Sequence, residues 1–463
     1  MPISPARTAA FDILLRVDQQ GAYAADLLHS ARLDSLSLAD RALATELVMG
    51  VLRWRSRLDQ AIAAAAARPL TKLDLEVLTA LRLSTYQLRY LSRIPAHAAV
   101  HDSVELTKRA KKLSAAPFVN AVSRKLAAME GQEELPPRLL QLSPCGELSE
   151  SSGVAEATEV ASFFSREYAH PQWLVARWVR DYGIAPTHLI CRHNQRIPNT
   201  VLRLDHSDMG VELELQGEGI ELAPGAVMST ARVITKGDIP RTRAFQQGRV
   251  FIQDEASQLV AALVGTGSRL LDCCAAPGGK TAALAARNPT AEIIAAELHP
   301  HRAELLRKRV RAANVQVIQA DALNLPTSGA FDRVLADVPC SGTGTLSRNP
   351  EIKWRLQPED LGDLHHKQVA ILRAALRQLA PGGRAVYATC SLEREENEAV
   401  IEEVLREENN LALRDCRQEL QRLRSSGELL WPDLDSLLSG QFLRTIPGLQ
   451  PCDGFFAAMI ERQ

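Results

Sequence analysis

The chain has 463 residues, which is enough for two or three domains with full hydrophobic cores. Charged residues make up 24% and apolar residues 46%, an ordinary composition for a globular protein. The net charge of -1 excludes a chain-wide basic field, so any surface that attracts nucleic acid must be local. No apolar run approaches the length of a membrane span, and the N-terminus lacks a signal-peptide pattern. Eight cysteines without a C-x-x-C pair indicate neither a zinc site nor a disulfide framework, and we expect a cytoplasmic protein without a metal.

The N-terminal residues 1–130 are predicted to be all-helical. Ser4 and Pro5 suit the start of a helix, and a long region of helical periodicity runs from residue 38 to about residue 67. Thr71 is predicted to open the next helix. We therefore expect a helical domain at this end of the chain.

Basic residues form clusters within this helical region. They are Arg53, Arg55 and Arg57, then Lys108, Arg109, Lys111 and Lys112, then Arg124 and Lys125. Such clusters are as often solvated helix faces as surfaces that contact phosphates, and the sequence leaves both interpretations open.

A linker and a small mixed domain are predicted to follow. Residues 131–153 are rich in Pro, Ser, Glu and Gly and lack periodicity, which is typical of a linker. Residues 154–250 contain two helical stretches, at 156–167 and 171–182, and then a β region whose clearest strand is 200–204. This composition predicts a small α+β domain.

The last part of the chain, residues 251–463, alternates strands with helices, which indicates a mostly parallel α/β sheet of the Rossmann-like class. A helix is predicted to start within 251–260 and to lead into the first strand. The predicted strands are 269–273, 292–297, 315–320, 331–337 and 384–389, followed by a last buried strand at 455–460.

A strand, a Pro-Gly-Gly turn and a helix lie at 272–281 (DCCAAPGGKT), and we call this stretch the cofactor loop. Open α/β sheets bind ligands at the carboxyl ends of their strands, and glycines let the backbone approach a ligand closely. A phosphate-binding P-loop would need a glycine where Cys274 stands, which disfavours a nucleotide-hydrolysing enzyme built on Gly279, Lys280 and Thr281.

Acidic residues end the next strands of the predicted sheet. They are Glu297, Asp321 and Asp337. A carboxylate in such a position can bind ribose hydroxyls. Together with the missing P-loop pattern, the acids favour a nucleoside without phosphates, such as S-adenosylmethionine.

Two cysteines follow two of the predicted strands. Cys340 lies in the loop after residue 337, and Cys390 directly follows the strand at 384–389. A thiolate that adds to carbon 6 of a cytosine makes carbon 5 nucleophilic enough to accept a methyl group. The helix expected to start near Glu393 would favour that thiolate at Cys390. Asp337 could stabilise the ring at nitrogen 3, and Cys340 could remove the proton from carbon 5.

At these residues the chain resembles the RNA cytosine-C5 methyltransferases. The matching pieces are residues 272–281, DVPCSGTG at 337–344 and TCS at 389–391. The resemblance implies that Cys390 attacks the base and that Cys340 assists its release. It also implies S-adenosylmethionine as the methyl donor. The implied donor contacts are Cys274, Ala275, Ala276, Pro277, Gly278, Gly279, Lys280, Glu297, Asp321 and Asp337.

The N-terminal region, with LADRA at 38–42 and NAVSRK at 120–125, resembles a NusB-type RNA-binding domain. The whole arrangement, including the segment RNPEIKW at 348–354, is similar to the bacterial 16S ribosomal RNA cytosine-C5 methyltransferases. This implies 16S ribosomal RNA as the partner. A non-catalytic RNA-binding or assembly factor with the same domains remains the alternative. The sequence leaves the oligomeric state open, and we expect a monomer.

Overall fold

The computed structural model describes residues 3–30, 33, 35–129, 154–205, 210–327 and 329–463. The predicted linker at 131–153 lies outside these residues. The chain divides into two compact units. The first comprises Met1–Ile197 and Leu346–Arg355, and the second comprises Pro198–Thr345 and Leu356–Gln463. Within the described ranges, no helix is both long enough and apolar enough to cross a membrane.

In chain order the α-helices of the described residues are α1 (Pro5–Gln20), α2 (Ala24–Leu28), α3 (Leu38–Ala66), α4 (Leu75–Tyr90), α5 (Ala96–Arg109), α6 (Ala116–Ala128), α7 (Val154–Glu167), α8 (Gln172–Tyr182), α9 (Ile184–Asn194), α10 (Val211–Gly217), α11 (Arg243–Gln246), α12 (Glu255–Val264), α13 (Gly279–Arg287), α14 (Pro300–Arg309), α15 (Ile352–Arg355), α16 (Asp360–Arg377), α17 (Glu398–Glu407) and α18 (Cys416–Ser425). The strands are β1 (Val201–Leu204), β2 (Glu221–Pro224), β3 (Ala231–Lys236), β4 (Val250–Ile252), β5 (Arg269–Asp272), β6 (Glu292–Glu297), β7 (Val315–Gln319), β8 (Phe331–Asp337), β9 (Leu379–Thr389), β10 (Leu411–Arg414), β11 (Leu438–Ser439), β12 (Phe442–Thr445) and β13 (Phe455–Arg462).

The first unit is helical, as predicted for the N-terminal region. The long helix α3 begins after Ser37, whose hydroxyl accepts a hydrogen bond from the amide of Asp40. The predicted helix start at Thr71 is wrong, because Leu73 has an extended backbone and α4 begins at Leu75. Helices α7 to α9 belong to this unit, and α9 was not predicted. The four-part domain division made from the sequence stays a prediction.

The segment Leu346–Arg355 also belongs to the first unit, although its chain neighbours on both sides belong to the second. Its Lys353 is fully buried, and the ammonium donates a 2.8 Å hydrogen bond to the carbonyl of Arg53. The carboxylate of Glu351 accepts a 2.8 Å bond from the amide of Ala24. These buried polar contacts anchor the segment among the N-terminal helices.

The second unit contains a four-stranded antiparallel sheet with the order β2-β3-β1-β4. Its β4 includes Phe251, which pairs with Arg203 of β1, so the helix predicted to start within 251–260 starts only after this strand. The run Val-Phe-Ile is β-branched and aromatic and fits a strand. Helix α12 begins only at Glu255, after Asp254, which accepts a hydrogen bond from the amide of Ala256.

The second unit also contains a nine-stranded sheet in which the strands β7-β6-β5-β8-β9 run parallel. Strand β13 is antiparallel to its neighbours. It pairs with β9 along one edge and with β12 and β10 along the other. All six predicted strands are present, with β9 beginning earlier than expected. The buried side chains of Phe456 and Ile460 explain the continuous apolar run of β13. Because β8 and β9 are parallel neighbours, the loops that follow them leave the same edge of the sheet.

Candidate active site

The cofactor loop joins the end of β5 to the start of α13. Gly278 has a φ of +108° within it, a conformation that L side chains rarely adopt. A Cβ at this position would lie 2.7 Å from Val310 and 2.8 Å from Leu306. Glycine therefore lets the loop lie directly against α14 and its C-terminal end. The guanidinium of Arg302 on α14 donates a 3.0 Å hydrogen bond to the carbonyl of Ala276 in the loop.

Asp272, at the start of the loop, is fully buried. Its Oδ2 accepts a 2.7 Å hydrogen bond from the hydroxyl of Thr281. Burial raises the pKa of Asp272 to about 7, and the negative charge of Asp337 adds to this effect. The carboxyl group therefore changes its protonation state near neutral pH.

The strand-end acids differ in their surroundings. Glu297, the last residue of β6, is buried and accepts a 2.9 Å hydrogen bond from the amide of His299. Its strand adjoins the cofactor loop, because the amide of Ala275 donates a 2.9 Å bond to the carbonyl of Ala296. Asp321, after β7, is exposed and accepts a bond from the amide of Leu323. A loop closed by glycine and a buried carboxylate beside it fit a nucleoside with a ribose.

The side chains of the two predicted cysteines, Cys340 and Cys390, lie close together. The Sγ atoms of Cys340 and Cys390 lie 3.3 Å apart, within hydrogen-bond distance for sulfur. The register of β8 and β9 pairs Asp337 with Ala388, so the two loops start side by side. Their backbones stay joined, since the amide of Gly344 donates a 2.9 Å bond to the carbonyl of Cys390. Both cysteine residues are partly exposed.

The proton between the two sulfurs is shared unequally. The hydrogen bond with Cys390, together with burial, raises the pKa of the Cys340 thiol well above its ordinary value. Cys340 therefore keeps its proton at neutral pH and can donate the hydrogen bond to Cys390.

A cation lies next to these groups. The ammonium of Lys280 is 2.8 Å from Oδ2 of Asp337, and it lies 4.8 Å from the centre of the Phe455 ring. Burial alone would lower the pKa of Lys280, but Asp337 and the nearby Cys390 raise it above its ordinary value. Lys280 therefore stays charged, and its charge favours a thiolate at Cys390.

The predicted source of that positive charge was wrong. Residues 394–396 form a single 3-10 turn, and the helix α17 begins at Glu398 rather than near Glu393. Along the chain, Cys390 is therefore followed by a 3-10 turn and not directly by the start of an α-helix. Lys280, which the sequence assigned only to the cofactor loop, takes this role instead.

The sequence analysis also missed Glu396. It lies in the acidic run 393–398, which was expected to be the start of a helix, but its side chain is fully buried. It accepts hydrogen bonds from Ser341 and Ser391, the residues that follow the two thiols. Two Cys-Ser dipeptides and a nearby acid were the available signal in the sequence.

The basic clusters of the N-terminal helices are mostly engaged within their own unit. Arg53 is buried, and Lys125 donates to the carbonyl of Ala65. The ion pairs are Arg55 with Asp18, Arg57 with Glu167, Lys108 with Glu105, Arg109 with Asp12, and Lys112 with Asp74. Surface pairs of this kind are weak, so they reduce but do not abolish attraction for phosphate.

A second basic surface, which the sequence analysis missed, runs along α14. Its exposed cations are Arg302, Arg307, Lys308, Arg309 and Arg311. One acid of the same stretch, Glu304, pairs with Arg307 and Lys308. We call these five cations the α14 ridge. They outnumber the acid on a helix that packs against the cofactor loop.

The large sheet with its cofactor loop has the Rossmann-like fold of a methyltransferase. A sequence model of the family described as 16S rRNA methyltransferase RsmB/F matches residues 263–461. The NusB family matches residues 4–128, and a ferredoxin-like domain of RsmF/B-like methyltransferases matches residues 170–238.

Relatives match along nearly the whole chain. A probable ribosomal RNA small subunit methyltransferase B of Bacillus subtilis is 34% identical and covers 87% of this chain and 88% of its own. The ribosomal RNA small subunit methyltransferase B of Vibrio cholerae is 31% identical over 99% of this chain and 97% of its own. The chain therefore belongs to the RsmB/F family of rRNA methyltransferases, with a NusB domain at its N-terminus. Membership in a methyltransferase family of this fold implies S-adenosylmethionine as the methyl donor.

Solved structures support the fold. The crystal structure of PH0851 superposes with a TM-score of 0.75 at 21% identity and covers all of both chains. A methyltransferase homologue from Pyrococcus horikoshii gives a TM-score of 0.53 at 23% identity, over 67% of this chain and 100% of that chain.

Replacing Lys280 with Met should move the pH dependence of methyl transfer. Without the ammonium the thiolate of Cys390 loses its cation, so at pH 7 and saturating methyl donor the rate should fall by about tenfold or more. The loss should shrink as the pH is raised, because bulk hydroxide then deprotonates the thiol. The control is Lys236→Met, which removes an exposed lysine of β3. A rate loss that is equal at every pH would contradict this role.

Replacing Asp272 with Asn should change how stability depends on pH. A buried acid with a raised pKa keeps its proton in the folded chain but not in the unfolded chain, so the wild type loses stability as the pH rises from about 4 to about 7. The shift to about 7 corresponds to a loss of up to about 4 kcal/mol. The free energy of unfolding of the variant, relative to the wild type, should therefore rise over this range. Urea unfolding at several pH values measures it, and a difference that does not vary with pH would contradict the raised pKa.

Proposed function

We propose that this protein methylates carbon 5 of a cytosine in 16S ribosomal RNA, through a temporary bond between Cys390 and carbon 6 of the base. The observation that carries the proposal is the pair of thiols 3.3 Å apart, of which Cys340 keeps its proton. A thiol that keeps its proton, 3.3 Å from a second thiol, suits a reaction that needs one nucleophile and one base. The match to the RsmB/F family supports ribosomal RNA as the substrate.

Different residues of this chain act in successive steps of the proposed reaction. Lys280 favours the thiolate of Cys390, which attacks carbon 6, and the electron pair of the 5,6 double bond moves to carbon 5. Asp337, held by Lys280, stabilises the ring at nitrogen 3. S-adenosylmethionine supplies the methyl group that carbon 5 accepts. Carbon 5 then carries both a methyl group and a proton, and that proton must leave.

The same hydrogen bond that keeps Cys340 protonated explains how it becomes a base. When Cys390 is bonded to carbon 6, its sulfur no longer carries negative charge. The largest cause of the raised pKa of Cys340 is then removed, and Cys340 can ionise. Its thiolate takes the proton from carbon 5, the double bond re-forms, and Cys390 leaves as a thiolate.

The methyl donor would be held by the cofactor loop and the strand-end acids. The residues are Cys274, Ala275, Ala276, Pro277, Gly278, Gly279, Lys280, Glu297, Asp321 and Asp337. The buried carboxylate of Glu297 is suited to ribose hydroxyls. The exposed Asp321 can contact only a part of the donor that reaches the rim of the site.

The RNA would be bound through phosphate contacts and presented as an unstacked base, which costs least in a loop. We assign phosphate contacts to the α14 ridge as well as to the N-terminal basic clusters. We propose a monomer as the working form and the cytoplasm, which contains ribosomal RNA, as the compartment.

Replacing each thiol in turn should separate attack from release. With Cys340→Ala, attack and methyl transfer proceed but the proton on carbon 5 stays, so a protein–RNA adduct should accumulate on a denaturing gel. With Cys390→Ala no adduct should form. Nucleoside mass spectrometry of 16S RNA treated with the wild type should show 5-methylcytidine.

The opposite gel pattern would exchange the roles of the two cysteines. If the wild type binds RNA and methyl donor but leaves every cytosine unmodified, the proposed activity is wrong and the non-catalytic alternative gains support.

The two basic surfaces should differ in their share of RNA binding. Neutralising Arg307, Lys308 and Arg309 to Gln should weaken binding and lower the salt slope of log K by up to about 3, since each lost phosphate contact removes about one. Neutralising Lys108, Arg109 and Lys112 should lower it less, because each of these has a carboxylate partner of its own, whereas Arg307 and Lys308 share Glu304. Binding of 16S RNA at several salt concentrations measures both. An unchanged slope in the α14 variant would contradict the assignment.

A further inference from the structure

Glu396 is a buried carboxylate without a cation. Its side chain is fully buried, and no Lys, Arg or His forms an ion pair with it in the part of the chain that the structure describes. Burying an ionised carboxylate is unfavourable unless hydrogen bonds replace its hydration. The hydrogen-bond partners of this carboxylate therefore indicate its structural role.

All the hydrogen bonds to the carboxylate come from groups beside the two thiols or from a helix that contacts the same loop. Oε1 accepts a 2.8 Å hydrogen bond from the backbone amide of Ser341 and a 2.9 Å hydrogen bond from the side-chain amide of Gln368. Oε2 accepts from the hydroxyls of both Ser341 and Ser391. Ser341 follows Cys340, and Ser391 follows Cys390. One carboxylate thus binds the neighbours of both sulfurs.

The residues around Glu396 tie the same two loops. Gln368 of α16 also donates 2.9 Å to the carbonyl of Pro339, the residue before Cys340. Asn397 accepts a 2.6 Å bond from the hydroxyl of Thr389 and donates 2.9 Å to the carbonyl of Ser391, the residues on either side of Cys390. The backbone carbonyl of Glu396 is itself held, by a 2.6 Å bond from the hydroxyl of Tyr387 in β9.

We propose that Glu396 is a positioning residue that fixes the Sγ atoms of Cys340 and Cys390 at the spacing required for attack and release. It does not touch the reacting atoms, and it acts through Ser341 and Ser391. The consequence for methyl transfer rests on the proposed function. The consequence for the spacing of the thiols does not, and the two can be measured separately.

The charge of Glu396 works in the same direction as its hydrogen bonds. After the hydrogen bond with Cys390 and burial, it is one of the negative charges that raise the pKa of the Cys340 thiol. Glu396 therefore helps to keep the proton on Cys340, which acts second in the proposed reaction. It also holds the sulfur of Cys340 beside that of Cys390.

The variants are Glu396→Gln, Glu396→Ala and, as a matched control, Glu402→Gln. Glu402 is an exposed acid on α17 that pairs with exposed Arg394. Glutamine keeps one acceptor oxygen and the shape of the side chain, whereas alanine removes all the bonds that hold the two serines. The order of effects should therefore be alanine, then glutamine, then the control.

Spacing is measured with phenylarsine oxide, whose arsenic forms two S–As bonds with a close pair of thiols and releases its oxygen as water. Cys340→Ala provides the baseline for binding without the pair. We expect Glu396→Ala to lower the affinity of the wild type towards this baseline, Glu396→Gln to lower it less, and Glu402→Gln to leave it unchanged. This readout needs neither RNA nor methyl donor.

Catalysis is measured as methyl transfer to 16S RNA. A displacement of reacting groups by about 1 Å costs about 100-fold in rate, so kcat of Glu396→Ala should fall by about 10- to 100-fold. The KM values for RNA and S-adenosylmethionine should stay close to those of the wild type, and Glu396→Gln should recover part of kcat. A merely structural role would instead lower the thermal midpoint and raise both KM values together.

Each outcome decides the proposal. Wild-type arsenical affinity in Glu396→Gln and Glu396→Ala would overturn it, as would an equal loss in Glu402→Gln. If Glu396→Ala does not fold, the glutamine variant decides alone, through reduced affinity and reduced kcat at an unchanged KM. If the arsenical affinities change as expected but the wild type forms no 5-methylcytidine, the positioning role stands and the proposed function fails.

Discussion

The approach of two sulfurs to 3.3 Å is the constraint on which the account of this protein depends. It requires that β8 and β9 be parallel neighbours, so that the loops after them leave the same edge of the sheet. It also requires that the backbones of the two loops be joined. Gly344 permits this. Its amide donates a hydrogen bond to the carbonyl of Cys390, and any side chain at this position would clash, because a Cβ would lie 2.2 Å from the carbonyl oxygen of Gly454. The strand order and the contacts between the two loops therefore together set the distance between the two Sγ atoms.

Charge then makes the two sulfurs different. Lys280 lies beside Cys390 and Asp337, and its positive charge favours the attacking thiolate. Glu396 lies behind the two serines, and its negative charge helps to keep the proton on Cys340. In the proposed reaction, this arrangement would prepare Cys390 to attack the base and Cys340 to act as the base in the second step.

Much of this arrangement is local in the sequence. Short apolar runs predicted six of the nine strands of the large sheet, and cysteines that follow two of them marked the candidate site. What could not be predicted depends on partners far along the chain. Phe251 is a strand residue because it pairs with Arg203, and Glu396 is buried because serines 55 and 5 residues away bind it. Some partners of the N-terminal cations also lie on other helices, as Asp12 of α1 does for Arg109. Composition marks a residue as charged, but only the fold decides whether it faces solvent.

The central claim, that Cys340 keeps its proton beside Cys390, is tested most directly by competitive alkylation. The folded wild-type protein would be treated briefly with a limiting amount of iodoacetamide at pH 7, and the labelled fraction of each cysteine would be measured by peptide mass spectrometry. The account predicts that Cys390 is labelled about ten times faster than Cys340 or more, because a thiol that keeps its proton is a poor nucleophile. Equal labelling, or faster labelling of Cys340, would contradict the unequal sharing of the proton and with it the assigned roles.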